Sequence, residues 1–345
     1  MPASQDETTR GSRWNKTVAT VQTQFPGLLA AATVGLAASF LSDHYGGPTM
    51  LYALLLGMAF HFLSLEGRCV EGIATASRTV LRIGVALLGM RITLGQIAAL
   101  GIETPLLMVG TVIFTTLVGL VAARLMGLGR AFGVLTGGAV AVCGASAALA
   151  IAAVLPRTQH SERDTIFTVI GVTTLSTIAM IVYPMIVNTF GLGPDSAGIF
   201  LGGTIHDVAQ VVGAGYSLSP QTGDTATFVK LLRVAMLLPI VMVVSLAFGV
   251  RTSDAQKPPL LPLFLVAFAV LVGINSTGWV PPLVTSGLND LSRWCLVTAI
   301  AALGMKTSLK AMTELGPKPV ILLLVETVLM AALVLGVLLV RDGTL

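Results

Sequence analysis

Hydrophobic residues in this chain come in long runs separated by short polar stretches. The runs are Phe25–Ser42, Thr49–Leu65, Thr79–Ala99, Pro105–Leu125, Ala131–Leu155, Thr165–Phe190, Ala197–Tyr216, Ala226–Val250, Leu260–Ile274, Leu291–Met305 and Val320–Val340. A helix needs roughly 20 apolar residues to cross a bilayer. The pattern therefore predicts an all-α polytopic membrane protein with about eleven apolar segments. Residues 1–24 are polar and carry Arg10, Arg13 and Lys16. They read as a cytoplasmic tail, with residues 25–345 as a single transmembrane domain. The run beginning at Phe25 passes straight into a second one, which suits an uncleaved first helix better than a signal peptide. Asn275 to Asp290, with Pro281-Pro282, reads as a loop.

Two of the runs are wrong for plain helices. Ala131–Leu155 contains Gly137-Gly138 and then Cys143-Gly144-Ala-Ser146. Ala197–Tyr216 contains Gly202-Gly203-Thr204-Ile-His206-Asp207-Val-Ala-Gln210. Each glycine weakens a helix by about 1 kcal/mol relative to Ala. Backbone that leaves the helix at membrane depth survives only inside protein or beside a wet cavity. Gly137, Gly138, Gly144, Gly202 and Gly203 are therefore the expected helix breaks.

The chain also repeats itself. Leu88-Gly-Met-Arg91-Ile-Thr-Leu returns as Leu303-Gly-Met-Lys306-Thr-Ser-Leu. A weaker echo places Gly137-Gly138 before Asp164-Thr165 as Gly202-Gly203 stands before Asp224-Thr225. Duplication inside a membrane chain is the usual build of a secondary transporter. If both broken runs are re-entrant hairpins, Arg68, Arg78, Arg124, Arg130, Arg157, Arg163, Arg251, Lys257, Lys306, Lys310 and Lys318 join the N-terminal cations inside. Little beyond Arg293 and Arg341 is left outside. That satisfies the positive-inside rule, and it gives the repeat copies the opposite orientations that an inverted repeat demands.

Composition agrees. The chain is 54% hydrophobic and 10% charged, with a mean hydropathy of +0.89, whereas a soluble domain carries about 25% charged residues. The net charge of +4 comes from dispersed cations and is no nucleic-acid signal. Cys69, Cys143 and Cys295 are odd in number and widely spaced, so neither a disulfide framework nor a metal site is expected. No cofactor is expected, and no zinc, nucleophile-elbow or P-loop motif points to an enzyme.

The candidate substrate-binding residues lie in and beside the broken runs. Thr204, His206, Asp207 and Gln210 put ionisable and hydrogen-bonding groups deep in an apolar segment, where charge is costly and marks function. The facing run offers Thr136, Cys143 and Ser146, and a helix restarting after Gly144 would aim its amides at an anion. The bland alternative is close packing of small residues. Lys230 and Arg233 share a helix face. They either point inward to attract an anion or snorkel from the first turns of their run. Arg91 and Lys306 occupy matching places in the repeat, as gates or as anchors at helix ends. Glu326 stands alone in the last run, as a coupling residue or a buried neutral acid.

Together the Leu-Gly-Met-Arg-Ile-Thr phrase, Val-Cys-Gly-Ala-Ser, Gly-Gly-Thr-Ile-His-Asp-Val-Ala-Gln-Val, Lys-Leu-Leu-Arg-Val-Ala-Met-Leu-Leu-Pro and Leu-Gly-Met-Lys-Thr-Ser-Leu resemble the YeiH-type sulfate exporter family of bacteria. The resemblance covers nearly the whole chain after the polar tail. It implies a multi-pass bacterial inner-membrane protein with a cytoplasmic N-terminus, grouped with cation/proton antiporters and anion transporters. The expected function is alternating-access export of a small sulfur-containing oxyanion, sulfate or a sulfonate. Its partners would be that anion, the bilayer and, as an option, a second copy of the chain. With a negative interior, each outgoing negative charge gains about 2.3 kcal/mol per 100 mV, which favours export. The rivals are a cation/proton antiporter, which would need a second buried carboxylate beside Asp207, and a membrane-embedded enzyme using His206 and Asp207.

Overall fold

The computed structural model describes residues 6–156, 160–248, 262–307 and 317–343, with side chains from residue 22 onward. The expectations for Arg157, Arg251, Lys257 and Lys310, for the side chains of Arg10, Arg13 and Lys16, and for the second half of the later repeat copy lie outside these residues. The described chain is helical throughout, and six helical stretches, Gln22–Tyr45, Val70–Met90, Glu103–Leu125, Ser161–Phe190, Pro220–Phe248 and Pro317–Arg341, are long and apolar enough to cross a membrane by length and composition. Of the other apolar runs, Thr49–Leu65 and Leu260–Ile274 lie on shorter helices, Ala131–Leu155 and Ala197–Tyr216 are each split in two, and Leu291–Met305 lies on a 25-residue helix.

The chain clusters into two compact units, one of residues 1–84 and 293–307 and one of residues 85–292 and 308–345. The first contains α1 (Asp6–Tyr45), α2 (Thr49–Ala59), α3 (Val70–Thr75) and the end of a later helix. The polar stretch expected as a tail is helical from Asp6 and continues without a break into the first apolar run. Small residues let backbones touch here, as membrane helices favour. A Cβ on Gly72 would fall 2.0 Å from Gln24 O, and one on Gly57 would fall 2.2 Å from Ala301 O.

Leu81–Leu87 is α4 and Leu94–Ala99 is α5, closed by a capping box between Thr93 and Gln96. In the second unit follow α6 (Glu103–Leu125), α7 (Arg130–Ala141), α8 (Ala145–Ala152), α9 (Ser161–Phe190), α10 (Pro194–Thr204), α11 (Val208–Leu218), α12 (Pro220–Ala235), α13 (Leu237–Phe248) and α14 (Leu263–Ser276). Then come α15 (Pro282–Lys306), whose last turns belong to the first unit, and α16 (Pro317–Arg341). The loop expected over Asn275–Asp290 is shorter than that, because Pro282 opens α15. Proline suits the first helical turn, where its missing N–H is no loss. Between α12 and α13, Pro239 cannot donate to Ala235 O, which explains the interruption at Met236.

α6 turns the soluble rule inside out. Leu106, Val109, Ile113, Leu117 and Val121 are exposed at helical spacing, while Thr104, Thr111, Thr115 and Gly119 are buried. Lipid is as good a solvent for leucine as a protein core. Two of the threonines instead bond back along the chain, Thr104 Oγ1 donating to Leu100 O at 2.9 Å and Thr115 Oγ1 to Thr111 O at 2.8 Å.

α7 and α8 fold back on each other. Gly138 of α7 faces Ile151 of α8, and Ala131, Phe132 and Leu135 share one small cavity of about 40 Å³ with Ala152, Leu155 and Pro156. α10 and α11 do the same. α10 runs alongside α12 from Gly198 by Thr225 to Gly202 by Val229, and α11 returns antiparallel, with Gly215 against Gly223. Asp195, at the start of α10, accepts hydrogen bonds from Gln221 Nε2 (3.0 Å) and Thr225 Oγ1 (3.4 Å), just past the end of α11. α16 fixes how the two hairpins face. Its first turn meets the end of α6, with Lys318 Nζ 3.5 Å from Met126 O, and its last turn meets the start of α10, with Arg341 Nη2 donating to Ser196 Oγ at 2.6 Å. The open ends of the two hairpins therefore lie at opposite ends of α16, which at 25 residues is about 37 Å long.

Candidate functional site

The helices do not break at their glycine pairs. Gly137 and Gly138 lie inside α7, and Gly202 and Gly203 lie inside α10. They are there for contact. A Cβ on Gly137 would lie 3.1 Å from Thr115 O, and one on Gly202 would lie 2.3 Å from Ala226 O. The breaks come one turn later, at Val142–Gly144 and at Ile205–Asp207. Of the five predicted glycines only Gly144 is at a break. Its φ of 64° and ψ of −122° belong to a conformation that side chains disfavour.

A break in a buried helix strands carbonyls at the end of the first half. Here they belong to α7 and α10, and two cations of α12 take them. Arg233 donates from Nε to Ala141 O (2.9 Å), from Nη1 to Gly202 O and Ile205 O (3.2 Å each), and from Nη2 to Val140 O (2.8 Å) and Ala141 O (2.6 Å). Lys230 Nζ donates to Val142 O (2.7 Å) and Ile205 O (3.0 Å). Both side chains are completely buried. The snorkelling alternative fails because α12 starts at Pro220, six residues before the apolar run, so the two cations lie in its third and fourth turns. The five N–H groups of Arg233 are all committed. Lys230 has used two of its three donors.

The second halves of both hairpins begin at the same place. α8 starts at Ala145 with no side-chain cap, and α11 starts at Val208 with Asp207 as its cap, Oδ1 accepting from Ala209 N at 2.8 Å. Each helix end carries about half a charge, positive at an N-terminus and negative at a C-terminus, so the four ends cancel. Lys230, Arg233 and Asp207 then leave the joined tips with a balance on the order of +1.

His206 is fully buried. Its Nε2 lies 3.0 Å from Thr327 Oγ1 of α16, and its Cβ would meet a side chain at Gly144 at 3.5 Å. Gln210 is held by α9, its Oε1 accepting from Ser176 Oγ (3.3 Å) and its Nε2 donating to Thr177 Oγ1 (3.3 Å). Ser176 Oγ also accepts from Asp207 N at 3.0 Å. Cys143 is buried in the first break. Thr204 Oγ1 is turned back on its own helix, donating to Phe200 O at 2.5 Å. Ser146 is exposed at the second position of α8. Sequence reading missed Ser176, Thr177 and Thr327. The adjacent hydroxyls of Ser176 and Thr177, midway along a long apolar helix, were the available signal.

Arg91 lies apart from the tips. Its Nε donates to Asp224 Oδ2 at 3.0 Å, its guanidinium sits 5.4 Å from the centre of the Tyr216 ring, and the Tyr216 hydroxyl bonds the other Asp224 oxygen. This ties the segment before α5 to the α11–α12 turn. The Arg91 side chain is 36% exposed and that of Asp224 18%, and an ion pair still open to water is worth about 1 kcal/mol or less. Arg91→Ala is expected to cost less than about 1 kcal/mol, read as a small fall in the thermal midpoint, with the fold retained. A loss of folded protein would show that the pair does more than anchor. Lys306, the matching repeat residue, closes α15.

Comparison with known proteins places the chain. The family described as "Conserved hypothetical protein 698" matches residues 26–323. A UPF0324 membrane protein of Chlorobaculum tepidum is 63% identical over 316 residues, covering 90% of this chain and 88% of its own. One from Rhizobium meliloti is 55% identical over 320 residues, covering 92% and 93%. The UPF0324 membrane protein TauZ of Paracoccus pantotrophus is 54% identical over 319 residues, covering 91% and 94%.

Proposed function

The chain belongs to the Conserved hypothetical protein 698 family of UPF0324 membrane proteins, and from that premise we propose that it is a secondary transporter exporting a small sulfur-containing oxyanion. It is a multi-pass membrane protein. In this reading the two hairpins are re-entrant, entering from opposite faces of the bilayer and meeting near its middle, and they descend from an inverted repeat.

One observation carries the proposal: two helix breaks, in hairpins that open at opposite ends of α16, are joined by buried Lys230 and Arg233, with the amide ends of α8 and α11 at the same point. With the stranded carbonyls neutralised, the surplus at the tips is positive. The anion's oxygens would take the first amides of α8, Ser146 and the remaining Lys230 proton when the tips part. Gln210, Asp207 and His206 would set the shape of the second tip. Arg233 would hold the tips and touch no substrate, because its donors are spent. Access would alternate as one group of helices moves against the other. The name TauZ borne by the Paracoccus relatives puts taurine and other sulfonates beside sulfate among the substrates to test.

The experiment is flux in proteoliposomes under an imposed potential, with labelled sulfate, sulfite, taurine and isethionate. Outward movement of one of these, driven by a negative interior, is the expected result. His206→Ala removes the bond to Thr327 and should lower that flux at least tenfold while leaving the protein monodisperse in detergent. Movement of Na⁺ or H⁺ with no oxyanion would overturn the reading in favour of a cation antiporter.

A further inference from the structure

Glu326 sits on α16 nine residues from its start, roughly 13 Å along the axis. Its side chain is completely buried. Oε1 accepts from Thr136 Oγ1 of α7 at 2.7 Å, and Oε2 is buried with no hydrogen-bond partner among the described residues. Gly119 of α6 makes the room, since a Cβ there would fall 2.7 Å from Oε1. No ion pair among the described residues includes it. The charged residues of the helices packed on α16 lie elsewhere: Glu103 and Arg124 at the ends of α6, Arg130 at the start of α7, Glu162, Arg163 and Asp164 in the first turn of α9, and Asp195 at the start of α10. Arg233 of α12, a buried cation, meets α16 one turn on, with Nη2 3.5 Å from Met330 Sδ.

A lone carboxylate in such a setting costs several kcal/mol, and a buried charge without a partner is ordinarily avoided by taking up a proton. The next residue, Thr327, contacts His206 Nε2 at the second tip, while Thr136 lies on the helix that leads into the first break. One turn of α16 thus joins a solitary acid to the second tip, through Thr327 and His206, and to the helix that leads into the first.

We propose that Glu326 is a proton-binding site that couples proton movement to movement of the anion. The inference rests on the transport reading above for the coupling, but not for the binding of the proton. The carboxyl takes a proton from whichever aqueous side is open, crosses the sealed state neutral, and releases the proton to the other side. One proton accompanying a dianion would leave a single net negative charge moved per cycle.

Two measurements test this. Infrared difference spectra of the purified full-length protein between acid and alkaline buffer should contain a protonated-carboxyl band that Glu326→Gln removes; Glu326→Asp, which keeps the acid, serves if the Gln variant does not fold, by shifting the band instead. In proteoliposomes with pyranine inside, sulfate flux should carry protons in the native protein. In Glu326→Gln any remaining flux should carry at least tenfold fewer protons per anion. Absence of the band, or proton flux unchanged in Glu326→Gln, overturns the proposal. A titrating band in a protein that moves no oxyanion would overturn the transport reading and leave the proton site standing.

Discussion

Arg233→Met is expected to remove most of the folded protein from the membrane. The substitution keeps much of the side-chain volume and deletes every donor. Val140 O, Ala141 O, Gly202 O and Ile205 O all lose Arg233, and only Ile205 O keeps Lys230 as a partner. A buried carbonyl left without a partner costs about 1–3 kcal/mol. Three orphaned groups therefore put the loss at about 3–9 kcal/mol, against a total of about 5–15 kcal/mol for a typical protein. Arg233→Lys separates charge from geometry. It restores a cation but not the planar fork that spans both hairpins, so partial recovery is expected. Detergent-extracted material on a size-exclusion column, followed by thermal unfolding, reads both variants. A Met variant with the native midpoint would show that the tips hold together without the guanidinium, and the assignment of Arg233 as a clamp would be wrong.

The reason this clamp was only half legible in the sequence is instructive. Lys230 and Arg233 stood out as cations sharing a face, and the neighbouring motifs marked the two interrupted runs. Their partners could not be read, because backbone carbonyls have no letter. A cation reads as an anion site by its charge, while its donors are claimed by carbonyls that are orphaned only once the helix is known to stop. The same limit misplaced the breaks. Paired glycines weaken a helix, yet at 137–138 and 202–203 the helix survives and the glycines serve close approach to α6, α8 and α12. The true stops, at Val142–Gly144 and Ile205–Asp207, are set by tertiary contacts that outweigh propensity. Helical character and membrane residence followed directly from the length of the apolar runs. Residue Glu326 was visible as an oddity, but Thr136 lies 190 positions away, a distance no local pattern spans.

Gly202→Ala against Gly203→Ala distinguishes these two uses of glycine at adjacent positions. Both changes gain about 1 kcal/mol of helix propensity, and both occur in the buried body of α10. At Gly203 the new methyl meets Met108 Cε at 2.9 Å and Sδ at 3.3 Å, the flexible end of an adaptable side chain. It should be absorbed, with a net effect within about 1 kcal/mol. At Gly202 the methyl meets Ala226 O at 2.3 Å and Val229 Cβ at 2.9 Å, and a helix backbone does not step aside alone. Carbon needs about 3.5 Å from its neighbours, so α10 must back away from α12 by roughly 1 Å. Arg233 Nη1 reaches Gly202 O and Ile205 O at 3.2 Å each, and a shift of that size takes both past the hydrogen-bonding limit. The methyl thus breaks the second hairpin's share of the clamp as well as its packing, and the expected cost is about 2–4 kcal/mol. Thermal unfolding of the two variants side by side measures the difference, and oxyanion flux should follow it, near native in Gly203→Ala and lost in Gly202→Ala. Equal midpoints for the two would mean that α10 and α12 are free to separate at this level, and that the tips are not held at the spacing from which the positive site is built.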